Sequence, residues 1–366
     1  MSVISAMLEE ILHTAREAGA SDVHLVPGLA PGMRVNGGLV SMGYSRIMPS
    51  DTLDILIHVM PEAQRNRFEE KGEYDFSFSI SDCGRCRANA YKQRGNVALA
   101  LHLVDKEIPS PEELGMPESV VRLYEKETGL VLVTGPSGSG RSATLAALVE
   151  QINENRNALV ITLENPIEYI HQHKMSMINQ REIGLDSRSY ADALDAALRE
   201  DPDVILAGEL RDAETIGAAI TAAETGHLVL AALHGANVVN ALESMTDFFP
   251  PHRQESLRGR LADVLEAVVA QRLIPAGDNA GRAAAFEVLL TSSEMRKVIR
   301  EGRMSQLPEV MRDGREQGMS TMDEAVRQLY EEGKIDRNTA LRHMRQPERL
   351  EEGMSGPEER TPGPEE

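Results

Sequence analysis

The chain of 366 residues holds only two cysteines. That excludes a disulfide framework and fits a reducing compartment. Positive charge is also short: 38 Lys and Arg stand against 58 Asp and Glu, for a net charge of −20. So acidic a balance argues against coating nucleic acid or anionic lipid by general electrostatics, but not against one local basic face. Long apolar runs are missing as well; the longest reach roughly half of the ~20 residues that a membrane span needs. The first residues, MSVISAMLEEILHTAREAG, carry Glu9 and Glu10 early and lack a basic start and a cleavage site, so no secretory signal is expected. No short repeat recurs, which excludes solenoids and propellers. What remains is an ordinary globular composition, 41% hydrophobic and 26% charged, long enough for about two domains.

The first hundred residues mix helix and strand signals. Ile4, Met7, Leu8, Ile11 and Leu12 fall at helical spacing. Strands are expected at Val23–Val26, Met33–Val35, Tyr74–Ile80, Cys86–Tyr91 and Val97–Val104, with one or two helices in Pro49–Phe68. This reads as a small α+β domain with a mostly antiparallel sheet over 1–104. The polar, Pro-bearing stretch Asp105–Ser119 reads as a linker. Beyond it, apolar strands at Leu130–Val133, Ala158–Leu163, Val204–Ala207 and Leu228–Leu233 alternate with helices at Ser142–Glu154, Tyr190–Arg199 and Ala213–Thr225. Strands buried on both faces and separated by helices indicate a doubly wound parallel sheet within 120–291. Further strands are expected at Val268–Ile274 and Ala283–Leu290, then helices across 292–350. The Gly/Pro/Glu-rich end, 351–366, is expected to be disordered.

The sharpest motif is GPSGSGRS, comprising Gly135, Pro136, Ser137, Gly138, Ser139, Gly140, Arg141 and Ser142. It follows a strand and opens a helix, as a phosphate-binding loop does. Glycines let successive N–H groups bend toward phosphates, and the helix N-terminus adds partial positive charge. The Ser142 hydroxyl can ligand Mg²⁺, so a nucleotide with Mg²⁺ is expected at this loop. Arg141 stands where the pattern has Lys. The alternative, a Gly-rich turn that binds nothing, requires all these matches by chance. Cys83 and Cys86 form a lone C-x-x-C; zinc needs four ligands and a redox motif needs a thioredoxin-like context, so both are read as ordinary thiols.

Four further segments extend the pattern: ITLENPIEY (Ile161–Tyr169), LREDPDVILAGELRD (Leu198–Asp212), TAAETGHLVLAALH (Thr221–His234) and EMRKVIREG (Glu294–Gly302). With ASDVHL, GMRVNG and GRCRANAYKQRG near the N-terminus, the chain resembles the secretion ATPases of type IV pilus and type II secretion systems. More narrowly it resembles the pilus retraction (twitching motility) ATPases, the PilT/PilU family. The extension and type II enzymes of that superfamily carry a tetracysteine insert, which this chain lacks.

The resemblance implies a RecA-like P-loop ATPase domain after a smaller PAS-like N-terminal domain, with a C-terminal helical subdomain. It implies a homo-hexamer or a mixed ring with a paralogous retraction ATPase. It also implies an inner-membrane pilus platform protein as partner, with the chain cytoplasmic and peripheral at the inner membrane, and no nucleic acid and no span of its own. It casts Glu164 as a carboxylate near metal and water, and Glu209 as the water-positioning base. The latter also fits a carboxylate at a strand's carboxyl edge beside the loop. Arg199 and Arg211 become candidate charge stabilisers reaching across a ring interface, or else members of ion pairs with Glu200 or Asp212. His227 and His234 form a histidine box that senses the γ-phosphate. Arg85, Arg87 and Arg94 either approach a nucleotide or neighbour, or form a solvated basic strand.

Departures from the family pattern are Arg141, Asn165 in place of an Asp beside Glu164, and HGAN at His234–Asn237. Arg is larger and forked where Lys is a point charge. Two readings follow: a working retraction motor, or a hydrolysis-impaired nucleotide-binding paralogue acting as ring partner, adaptor or regulator.

Overall fold

The computed structural model describes residues 3–350 except 36, 81–82, 105–106, 278–280 and 349; the acidic end expected to be disordered lies outside them. The chain divides into two units. One is Met1–Ile108 with Asn165–His171; the other is Pro109–Glu164 with Gln172 onward.

In the first unit, α1 (Val3–Glu17) turns Leu8, Ile11, Leu12 and Ala15 inward at helical spacing. Next come β1 (Asp22–Leu25), β2 (Gly32–Val35), β3 (Gly38–Ser41), α2 (Pro49–Val59), α3 (Glu62–Lys71), β4 (Glu73–Ile80), β5 (Gly84–Gln93) and β6 (Asn96–Leu103). The sheet order is β3-β2-β1-β6-β5-β4, with every pairing antiparallel. β3 carries no signal in the sequence because all four residues are exposed, so nothing alternates. Cys83 and Cys86 are buried free thiols. Burial pushes the Cys86 thiol up to about 12, against the pull of the Arg16 charge. On the basic strand Arg87 is exposed and Arg85 half-buried, while Arg94 takes a positive φ in the β5–β6 turn.

The second unit opens with α4 (Glu118–Val121), β7 (Gly129–Thr134), α5 (Arg141–Asn155), β8 (Leu159–Glu164), β9 (Met177–Glu182), α6 (Tyr190–Ala197) and β10 (Val204–Ala207). It continues with α7 (Ala213–Glu224), β11 (Leu228–Leu233), α8 (Val238–Asp247), α9 (Pro251–Val264), β12 (Leu265–Pro275) and β13 (Arg282–Leu290). It closes with α10 (Ser293–Arg300), α11 (Leu307–Asp313), α12 (Met322–Glu331) and α13 (Arg337–His343). The sheet runs β13-β12-β7-β11-β10-β8-β9, parallel throughout except β13. Every residue of β7, β10 and β11 is buried, because helices cover both faces. Helix starts follow local chemistry: Ser189, Asp212, Asn237, Ser292, Thr321 and Asp336 each cap a helix by accepting the N–H three residues on. This is the RecA-like architecture with a helical C-terminal part. The stretch read as a linker is partly drawn into this unit: Met116 is buried in its core, and the Ser119 hydroxyl donates to the Gly318 carbonyl.

Candidate active site

The loop between β7 and α5 is built on glycines that admit no side chain. Gly135 (φ 155°) and Gly140 (φ 93°) both take positive φ. A Cβ on Gly135 would lie 2.4 Å from the Gln271 carbonyl oxygen, and one on Gly140 would lie 2.8 Å from the Gln271 side chain. Gln271, on β12, is buried and accepts from the Thr144 hydroxyl of α5 at 2.7 Å. It therefore props loop and helix from beneath, a role with no local signature in the sequence. Ser139 is buried within the loop, while Pro136, Ser137, Gly138 and Ser142 face outward. Ser142 is the second residue of α5, so its exposed hydroxyl sits at the helix N-terminus, where anions and their cations gather.

Successive strands bring four other residues to the same carboxyl edge, where ligands of open parallel sheets bind. Glu164 ends β8 and accepts from the Thr162 hydroxyl at 2.6 Å and the Gln180 amide at 3.1 Å. Glu209 follows β10 by two residues, and His234 follows β11 directly. Arg141 donates to the Leu233 carbonyl at 3.0 Å and meets His234 Nδ1 at 3.1 Å. His234 Nε2 lies 2.5 Å from Glu209 Oε1, and Arg211 Nε donates to Glu209 Oε2 at 2.6 Å. A guanidinium has no acceptor. His234 Nδ1 must therefore accept from Arg141, which leaves the proton on Nε2, pointed at Glu209. Arg141, His234, Glu209 and Arg211 thus form one chain of contacts. The Arg211–Glu209 pair is half exposed and worth little as stability, under about 1 kcal/mol. Its consequence is orientation of the carboxylate. The Arg211 guanidinium also lies over the Tyr190 ring, 5.6 Å from its centre.

Gly208 precedes Glu209. A Cβ there would meet the Leu163 carbonyl oxygen at 2.9 Å and Tyr190 Oη at 3.1 Å. The backbone of β8 thus leaves no room for a side chain at this position.

Two of the expected residues are not brought to this edge. His227 precedes β11 and His234 follows it, so at ~3.3 Å per residue they stand roughly 20 Å apart along the strand. His227 Nδ1 lies by the Ala222 carbonyl and the Thr225 hydroxyl at the amino edge of the sheet. Arg199 follows α6, which runs back from Tyr190 beside Gly208 toward the start of β10. It is largely exposed and pairs with Asp195, one helical turn away; Glu200 is taken by Arg181. Seven-residue spacing in a strand separates the two histidines instead of pairing them. Asn165 is counted with the first unit.

The family model for Type II/IV secretion system protein matches residues 110–351. The chain is 41% identical to the type IV pilus ATPase PilU of Pseudomonas aeruginosa over 310 residues, 85% of this chain and 81% of that one. It is 38% identical to the type IV pilus retraction ATPase PilT of the same organism over 311 residues, 85% and 90% of the two chains. A crystal structure of the pilus retraction motor PilT with bound ADP superposes with a TM-score of 0.87 at 41% identity, covering 96% of this chain and 99% of that one. The motifs, the sheet and these likenesses agree: the chain belongs to the Type II/IV secretion system protein family, on its PilT/PilU branch of type IV pilus ATPases.

Proposed function

We propose that this chain is a ring-forming ATPase, a hexamer or a mixed ring with a paralogue, that powers retraction of a type IV pilus. The observation carrying this reading is the line of Arg141, His234 and Glu209 along the carboxyl edge beside the phosphate loop. ATP is the substrate, its phosphates held by Gly135–Ser142.

The residues present fit Mg²⁺ as well: an exposed Ser142 hydroxyl at a helix N-terminus, with Glu209 and Glu164 across the edge. Mg²⁺ typically takes one or two protein oxygens and completes its shell with phosphate and water. When bound it neutralises charge on the phosphates. Ser142 would hold it. Glu209 orients the attacking water and takes its proton, while His234 Nε2–H and Arg211 fix the carboxylate's two oxygens. Glu164 adds a second carboxylate, positioned by Thr162 and Gln180. Arg141 joins the loop to His234; a five-donor fork can serve a histidine and a phosphate oxygen together, which a lysine cannot do in the same geometry.

Arg211 acts on Glu209 within its own subunit. Arg199 and His227, on the opposite edge, serve a neighbouring subunit's site. The ring works at the cytoplasmic face of the inner membrane, held by a pilus platform protein; no helix among the described residues is long and apolar enough to cross a membrane.

A second reading is a hydrolysis-impaired ring partner. It is favoured by one contact: the Arg141 guanidinium is engaged with the Leu233 carbonyl and His234. Restoring twitching in a retraction-deficient host separates the two. The motor reading expects rescue by the wild-type gene alone and none by Glu209→Gln. The partner reading expects no rescue by the wild type and gain of function in Arg141→Lys.

A further inference from the structure

Glu287 lies on β13, outside every motif above, yet it is only 5% exposed. Its carboxylate accepts the N–H of Val238 at 2.9 Å and faces the N–H of Met322. These are the first residues of α8 and α12. A single buried carboxylate thus faces the N-termini of two helices, where the backbone leaves N–H groups unpaired and partial positive charge collects. One helix leads from the active site; the other begins the C-terminal pair α12–α13.

The sheet register shows how this reaches His234. Thr134 of β7 pairs with Ala270 of β12, and Ala270 pairs with Glu287 of β13. The three residues form one rung, so their side chains share a face. Across that rung lies the segment 235–238. The Thr134 hydroxyl donates to the Gly235 carbonyl at 3.1 Å, and Arg272, two residues along β12, donates to the Ala236 carbonyl at 3.1 Å. Glu287 takes the Val238 N–H. Ala270 between them is small, and Gly235 is required because a Cβ would stand 2.9 Å from both Ala241 Cα and the Thr134 hydroxyl. His234 therefore leads directly into a segment pinned at Gly235, Ala236 and Val238, and its imidazole is what touches Glu209.

We infer that Glu287 is a positioning residue for the ATPase reaction: through the pinned segment 235–238 it sets His234 against Glu209 and ties that setting to the N-terminus of α12. The inference rests on the ATPase reading and deepens it. Burial raises the Glu287 carboxyl above its ordinary range, opposed by the Val238 N–H and the nearby Arg345 and Arg272 charges. Such a group is costly to keep and is held by the donors it serves.

The test compares wild type with Glu287→Gln and Val238→Pro. Proline suits the first helical position and deletes the donor to Glu287, with an apolar ring in place of the buried Val238 side chain. Steady-state ATP hydrolysis, ADP affinity by titration calorimetry and amide hydrogen exchange are measured on each full-length protein. The expected result is a kcat lowered roughly tenfold or more in both variants, with KM and ADP affinity within about threefold, since small displacements cost rate before affinity. Nucleotide also alters exchange at Met322–Glu324 in wild type and ceases to do so in Glu287→Gln. Unchanged kcat in both variants overturns the inference, as does exchange at 322–324 that ignores bound ADP in wild type. If wild type binds ADP but does not turn over, the ATPase reading fails, and the exchange comparison still decides the role of Glu287. Should Glu287→Gln fail to fold, Val238→Pro carries the kinetic comparison.

Discussion

Glu209 is held at both oxygens, by His234 and by Arg211, and this sets its use as a base. Removing the imidazole in His234→Ala should lower kcat with little change in nucleotide affinity, because His234 touches the carboxylate and the Arg141 side chain, not the glycines of the loop. Two other residues carry predictions free of the catalytic reading. Since burial pushes the Cys86 thiol up to about 12, it stays protonated at pH 8. Iodoacetamide should label the native chain at least ~10²-fold more slowly than the urea-unfolded chain; equal rates would contradict the burial. Glu224 is hydrogen-bonded by Arg260, which lowers its carboxyl below the ordinary value. A depressed carboxylate stabilises the fold above its unfolded pKa and loses that contribution as pH falls through the folded value. Arg260→Gln should therefore narrow the difference in stability between pH 7 and pH 3, by under about 1 kcal/mol because the pair is partly solvated. At this scale the placement of the phosphate loop, Glu164 and Glu209 was legible, since each stands at the end of an expected strand. Gln271 and Glu287 were not, since each acts on residues far away in sequence through the sheet register.

At the scale of elements, the strands of the second unit were legible because burial on both faces leaves near-continuous apolar runs. β9 was not: MINQRE is a polar edge strand, with only Ile178 and Glu182 buried. α8 and α9 were also missed, α9 because its sequence, PHRQESLRGRLADV, is largely polar and buries only Leu257, Leu261, Ala262 and Val264. The motif helix α10 has a structural use besides: Arg296 donates to the Ala262 and Asp263 carbonyls at the end of α9 and pairs with Glu266. The packing of loop against strand makes two substitutions informative. Gln271→Ala strands the buried Thr144 hydroxyl and should cost about 1–3 kcal/mol, read as a lowered midpoint in urea with unchanged slope. Gly235→Ala forces a methyl against the backbone of α8 and should cost a similar amount, about 1–3 kcal/mol, together with turnover, because His234 is its neighbour. A Gly235→Ala protein with native stability and native kcat would contradict the pinned-segment account.

For the whole molecule, the division of residues between the two edges of the sheet is the informative feature. The loop, Glu164, Glu209 and His234 gather at one edge; Arg199 and His227 stand at the other. If the second set serves a neighbouring subunit, two inactive proteins should repair each other. Mixing Arg199→Ala with Glu209→Gln creates interfaces with an intact Glu209 on one side and an intact Arg199 on the other. Recovery of hydrolysis on mixing is expected, and none would show that Arg199 does not act across an interface. The resemblance implies the ring, and the strand expected at Leu228–Leu233 sends His227 and His234 to opposite edges of the sheet, because seven residues of extended chain separate them. The central claim is that Glu209, fixed by His234 and Arg211 beside the phosphate loop, is the base of a working ATPase. Steady-state Mg-ATP hydrolysis by the wild-type protein and by Glu209→Gln, with nucleotide binding measured alongside, tests it most directly. The account predicts turnover in the wild type and a loss of roughly 10²-fold or more in Glu209→Gln at undiminished nucleotide affinity. Equal turnover in the two proteins, or none in the wild type, would contradict it.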